Sequence, residues 1–302
     1  MPGPWPVPEE PGGQQAVLDG MPERLYVCTP TRLSTWLECP RRYRMTYLDR
    51  PAPPKGPPWA HNSLGASVHN ALAAWWRLPL AERVPAAAGA ALERGLIEEG
   101  FASAAQSAAQ RARARQLVEA YAAGLDPAAE PAGVERTVGL RTRRIAISGR
   151  IDRLDERAGP GGTELAVVDY KTGRRALSAE DARSSLALAV YALAAARVLR
   201  RPCHRVELHH LPAGQVHAVD HTDAALARHL RRVEDVAAEC AAADRLFRQR
   251  QAPGEPVTCS DSFPPRPGPG CGWCDYRVRC PEGTAASPPR RPWDGLEAGP
   301  AS

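Results

Sequence analysis

Lysine is nearly absent from this chain. Of its 39 lysines and arginines only two are lysine, Lys55 and Lys171, and 37 are arginine. Such a shortage, in a sequence rich in Ala, Gly and Pro, reads as the nucleotide composition of the gene. Runs of arginine therefore lose value as evidence for a polyanion partner, and a lysine that survives in an ordered motif gains it. Other absences narrow the field. No stretch approaches the roughly 18 consecutive apolar residues that a membrane span needs. The opening MPGPWPVPEEPGG lacks both a basic start and an apolar core, so no secretory signal is expected, and the thiols are expected to meet a reducing cytoplasm. No G-x-x-x-x-G-K-[ST] phosphate loop occurs, so the chain is not expected to be an ATP-driven motor itself. No internal repeat is visible. What remains is ordinary for a globular protein: 302 residues, 43% hydrophobic and 24% charged, enough for one large domain or two small ones. The net charge of +5 is compatible with a polyanion partner without requiring one.

Proline and glycine mark the ends. Residues 1–24 and 284–302 show little periodicity and read as disordered arms around a domain at 25–283; residues 51–58, PAPPKGPP, read as a stiff linker or surface loop. Between them the apolar period is first helical. Pro30 to Leu37 predicts a short helix with Thr29 as its N-cap. Leu64, Val68, Leu72 and Trp75 recur at three and four residues and predict a helix over 62–76. An Ala-rich helical stretch over 86–123 is expected to break near Gly95 and Gly100. The period then changes. Alternation over 134–147 predicts a hairpin, with strands continuing at 149–154 and 164–170 around the turn Gly159-Pro-Gly-Gly162. A single helix is expected over 181–200, a hairpin over 206–211 and 215–219, and a long amphipathic helix over 222–250. The order predicts an α/β fold, a mixed sheet flanked by helices.

The surviving ordered lysine sits in a chemically suggestive place. Gly149-Arg-Ile-Asp152-Arg is followed, after a turn, by Val167-Val-Asp169-Tyr-Lys171-Thr-Gly. Asp169 and Lys171 are two apart on a predicted strand and so share a face, and Asp152 lies on a neighbouring strand from which it can approach Asp169. A D-x-K pair alone is most often a surface ion pair. Two carboxylates converging on an ammonium, however, suit a hard divalent cation, which takes carboxylate oxygens and neutralises a phosphodiester, while the lysine stabilises developing negative charge.

These residues resemble the PD-(D/E)XK nuclease superfamily, in particular its RecB-like branch. Thr31-Arg-Leu-Ser-Thr-Trp-Leu-Glu-Cys39-Pro-Arg-Arg-Tyr43 looks like the opening of that branch, and Gly65-Ala-Ser-Val-His69-Asn-Ala-Leu resembles its first active-site motif. The four motifs occur in the family's order over residues 26–283. The resemblance implies a restriction-endonuclease-like mixed sheet flanked by helices, with a helical insertion near the N-terminus. It implies His69, Asp152 and Asp169 as ligands of Mg²⁺ or Mn²⁺, the Tyr170 carbonyl as a further ligand, and Lys171 as the catalytic lysine. One departure stands out. Such nucleases carry a Gln-x-x-x-Tyr motif on the helix after the lysine strand; Tyr191 fits it, but residue 187 is alanine. Tyr191 is then either a DNA contact or a core residue.

Eight cysteines are present, and three crowd together at Cys271-x₂-Cys274-x₅-Cys280, a spacing that points to a metal or cluster site. The arrangement of one N-terminal cysteine with three near the C-terminus resembles the iron–sulfur nucleases of the AddB type and related CRISPR-associated nucleases. It implies Cys39 as the fourth ligand of a [4Fe–4S] cluster joining the two ends of the domain. Structural zinc is the competing reading. Cys28, Cys203, Cys240 and Cys259 read as core or surface thiols. Among the arginines, Arg150 and Arg153 flank Asp152 and are the candidate phosphate contacts. Together these readings describe a cytoplasmic metal-dependent DNA nuclease, an exonuclease acting in repair or recombination, with DNA as partner and a helicase as a further partner that the family implies. The alternative is a nuclease fold kept as a weakly active or inactive DNA-binding subunit.

Overall fold

The computed structural model describes residues 25–159, 162–250 and 262–296; the expected N-terminal arm, the tip of the 159–162 turn and Cys259 lie outside the described residues. The chain opens with a short strand, β1 (Tyr26–Cys28), and two helices, α1 (Pro30–Glu38) and α2 (Pro40–Tyr47). Thr29 caps α1 as expected, its hydroxyl accepting the Arg32 N–H at 3.1 Å, and Pro30 occupies the first helical turn, where no amide proton is required. Three further helices follow, α3 (Ala60–Trp76), α4 (Pro85–Arg94) and α5 (Ala104–Ala123). The break between α4 and α5 falls where the two glycines predict it. Gly100 has a φ of +84° there, and a β-carbon on it would lie 2.4 Å from the Pro58 carbonyl, so only glycine closes this turn.

The sheet has six strands: β1, β2 (Gly133–Arg141), β3 (Ile145–Gly159), β4 (Gly162–Lys171), β5 (Arg205–His210) and β6 (Gln215–Asp220). Its order is β1-β3-β4-β5-β6, with β2 also pairing with β3. The β2–β3, β3–β4 and β5–β6 pairs are antiparallel, and β1–β3 and β4–β5 are parallel. This is the expected mixed α/β architecture. β4 carries the unbroken apolar run Leu165-Ala-Val-Val168 because both of its faces are covered. Leu165 and Val167 pack into a core with α1, α7 (Leu186–Leu199) and α8 (Asp223–Arg250), alongside Leu33, Ile147, Leu188 and Val236. Val168 and Tyr170 face a second core, built on Leu72, Trp75, Leu92 and Val118 of α3–α5.

Two expectations need correction. The helix expected over 181–200 is two helices, α6 (Ala179–Ser184) and α7. Ser178 and Asp181 form a capping box on α6, and Ser185 starts α7 by accepting the Leu188 N–H at 3.3 Å. Local hydroxyl–backbone bonds thus interrupt an apolar periodicity that runs through both. The tail expected to be disordered from residue 284 is packed as far as residue 296. Thr284 lies in α9 (Pro281–Ala286), Arg277 donates to the Ser287 carbonyl at 2.7 Å, the Ala60 N–H donates to the Pro292 carbonyl at 3.0 Å, and Leu296 is buried. The Pro-rich loop before α3 joins the same assembly through Gly56 N–H to the Asp275 carbonyl, 2.8 Å.

Candidate metal centre

The site lies where two strands part. β3 and β4 pair regularly from the turn as far as Arg153 and Val168. Beyond that point β4 continues beside β5 alone, with Asp169, Tyr170 and Lys171 opposite Leu208, His209 and His210. The Tyr170 N–H, freed from the β3 ladder, needs an acceptor. Asp152 supplies one: its Oδ2 accepts that N–H at 2.8 Å. The carboxylate is thereby fixed in the mouth of the V, with its other oxygen 3.3 Å from His69 Nδ1.

His69 reaches the site from α3. Its Nε2 lies 3.1 Å from the Tyr170 carbonyl, which can only accept, so that nitrogen carries the proton. Burial opposes charge on the ring, but Asp152, then Asp169 and Glu135, outweigh it and raise the imidazole above its ordinary pKa. Across the opening, Asp169 Oδ2 is 2.6 Å from Lys171 Nζ. Burial pushes Asp169 above the usual carboxylate range; Lys171 pulls against this, and Asp152 adds to it.

The expected His69, Asp152 and Asp169 do gather here, yet they are not the tightest group. Among the described residues, His69, Glu135 and Asp152 bring ligand atoms within 4.8 Å of one another, and Asp169 adjoins them. Glu135 escaped the sequence reading. It lies in β2 between Val134 and Arg136, which pair with Arg153 and Ile151, and so stands opposite Asp152. Its backbone is left-handed, φ 51°, a conformation costly for a residue with a β-carbon. The only sequence signal is an acidic residue on an otherwise alternating strand, and register is needed to aim it.

The surrounding residues divide. Arg150 is well exposed, its guanidinium 2.7 Å from Glu135, so it stands beside the site as expected. Tyr191 on α7 lies against Gly149, where a β-carbon would come within 2.5 Å of its ring. Burial, then the negative charges of Asp169 and Asp152, push its hydroxyl up to about 12; the ring borders the carboxylates. Ala187 precedes it by one helical turn on the same face. Arg153, expected as a phosphate contact, is 2% exposed. As the neighbour of Asp152 along the strand it leaves by the other face. There it pairs with Asp155 at 2.9 Å and lies over Trp76, 5.2 Å from the ring centre.

The donor set fits a hard divalent cation: two or three carboxylates, one imidazole and a main-chain carbonyl. Asp169 Oδ2, shared with the Lys171 ammonium at 2.6 Å, adjoins this set.

A second cluster lies at the chain ends. Cys39 closes α1 and opens α2. With Cys271, Cys274 and Cys280 it lines one cavity of about 300 Å³, and none of the four is in a disulfide. Arg41 donates to Cys280 Sγ at 3.8 Å and pairs with Glu282, while the Gly283 N–H points at the same sulfur, 3.4 Å away. Cys28, Cys203 and Cys240 are buried elsewhere in the core, as expected.

The chain matches the model of the PD-(D/E)XK nuclease superfamily over residues 27–281. No curated protein matches it significantly.

Proposed function

The chain belongs to the PD-(D/E)XK nuclease superfamily, and on that premise we infer that it is a divalent-metal-dependent deoxyribonuclease. The observation that carries this reading is the convergence of His69, Glu135 and Asp152 within 4.8 Å beside the Asp169–Lys171 pair. These residues would hold Mg²⁺ or Mn²⁺, with Tyr170 offering its carbonyl, and the cation would supply Lewis acidity at the phosphodiester. Lys171 places a compact positive charge where the attacking oxygen and the phosphorane develop negative charge, a role that a planar guanidinium fills differently. Arg150, exposed beside Glu135, would hold an adjacent phosphate. Tyr191 walls the other side.

Exonuclease action, a place in repair or recombination, a helicase partner and a cytoplasmic setting extend this proposal on the strength of the RecB-like motifs. No helix among the described residues is long and apolar enough to cross a membrane. We also propose a [4Fe–4S] cluster on Cys39, Cys271, Cys274 and Cys280. The four cysteines line one cavity and none is in a disulfide; structural zinc is the competing occupant. Ala187 in place of glutamine supports a second reading, a DNA-binding subunit with little activity.

Anaerobically purified full-length protein should degrade linear single- or double-stranded DNA with Mg²⁺ or Mn²⁺ and spare closed circles. Asp169→Asn and Lys171→Ala should each reduce cleavage at least about a hundredfold while leaving the melting curve in place. Linear DNA left intact with both metals, yet bound equally with and without them, would establish the subunit reading instead. Iron and acid-labile sulfide near four per chain support the cluster; stoichiometric zinc overturns it.

A further inference from the structure

A second polar pocket occupies the opposite end of the sheet. β6 ends at Asp220, beside Arg205 at the start of β5, and β5 ends with His210 beside Lys171. Five residues of strand, roughly 17 Å, separate the two ends. The pocket has a volume of about 450 Å³ and lies between α6 and the first turns of α8.

Its charges are arranged against their own stability. Arg183, Arg228 and Arg232 line it, with His221 and His229. Arg228 and Arg232, both exposed, are one turn apart in the second and third turns of a 28-residue helix, like charges that repel. Among the described residues neither has a carboxylate at ion-pair distance. The nearby acids are engaged: Asp220 with Arg205 at 2.9 Å, Asp223 with His204 at 2.9 Å, and Glu180 with Arg183 at 2.7 Å.

An independent sign comes from His221. It is 5% exposed, yet its Nε2 has no hydrogen-bond partner, an uncommon state for a buried polar atom. Its ring packs edge-on against His229, 5.2 Å between centres. Burial, then the neighbouring His229 and Arg183, hold its pKa below the ordinary value against the pull of Asp220. A tetrahedral oxyanion would answer all of these features at once. It accepts several hydrogen bonds and suits paired guanidinium groups.

The geometry points to a phosphate-binding site here, formed by Arg228, Arg232 and the buried His221 and remote from the metal centre. The phosphate belongs either to the backbone of a nucleic-acid strand or to a small free phosphate compound. The site does not depend on cleavage.

The test uses full-length protein without added divalent metal. Inorganic phosphate forms one arm and an oligothymidylate of about ten nucleotides the other. Histidine side-chain NMR is the readout, with His221 assigned by His221→Gln. The His221 resonances should shift with at least one probe, and Arg228→Gln with Arg232→Gln should weaken that probe about tenfold or more. A shift with the oligonucleotide, and a salt dependence whose slope falls by about 1.4 in the double variant, identifies a strand backbone. A shift with inorganic phosphate alone identifies a free phosphate ligand. If neither probe moves His221, or if the double variant binds both as the parent does, the site is refuted. The parent titration decides the matter even if the double variant does not fold.

Discussion

At the scale of single residues, the site pairs side chains that a motif reveals with one that it hides. Asp152, Asp169, Lys171 and His69 are legible because each stands at a fixed offset within a short recognisable stretch. Glu135 is not, because its role follows from strand register and from a left-handed backbone that no local pattern announces. Arg153 shows the converse failure: adjacency to Asp152 suggests a shared task, but alternation along a strand sends neighbours to opposite faces. Glu135 also gives a sharp test of function against stability. Its conformation costs about 1 kcal/mol, which glycine relieves, while glycine in turn frees the unfolded chain by a similar amount. Glu135→Gly should therefore leave thermal stability within about 1 kcal/mol of the parent, or slightly above it. If the carboxylate is a ligand, Mn²⁺ affinity measured by calorimetry should fall at least about tenfold. Unchanged affinity would remove Glu135 from the site.

At the scale of elements, the sequence period locates α1, α3, the strands from β2 to β6 and α8, since each buries a continuous stripe or face, and it passes over the short β1, α2 and α9. It misses the break at Ser185 because apolar spacing runs through the break, and the hydroxyls that make it act only over three residues. Nor does it reveal the parting of β3 from β4, on which the site depends. That opening is held by α7, whose Tyr191 fits against the bare backbone of Gly149. Gly149→Ala should then cost about 1–3 kcal/mol by overpacking. In a Tyr191→Ala background the same change should cost less than about 0.5 kcal/mol, because the ring it strikes is gone. Denaturant melts of the four proteins give the coupling directly. Additive effects would mean that Tyr191 does not set the spacing between helix and strand.

At the scale of the whole molecule, two features hold α1 and α2 in place. One tie is the cysteine cavity. The other is a buried polar knot: Asp244 on α8, 1% exposed, accepts from Tyr43 at 2.8 Å and from Arg32 at 2.8 Å, and Tyr43 also meets the Tyr26 hydroxyl at 2.7 Å. These bonds fix α1 and α2 against α8, and Cys39 is the hinge between those two helices. Its position beside the C-terminal triplet therefore depends on a carboxylate that is not itself part of the cysteine cavity. Asp244→Ala leaves a half-buried guanidinium and a buried hydroxyl without their acceptor, at a cost of about 3–5 kcal/mol, and Asp244→Asn keeps one acceptor at lower cost. If the four thiols hold a cluster, its retention should follow the same order, with iron per chain falling from parent to asparagine to alanine. Iron content and thermal melts of the three proteins test this together. An alanine variant that melts early but keeps its full iron would show that the knot and the cluster secure α1 and α2 independently. A graded loss of iron at temperatures well below unfolding would show that the knot holds Cys39 in place for the cluster.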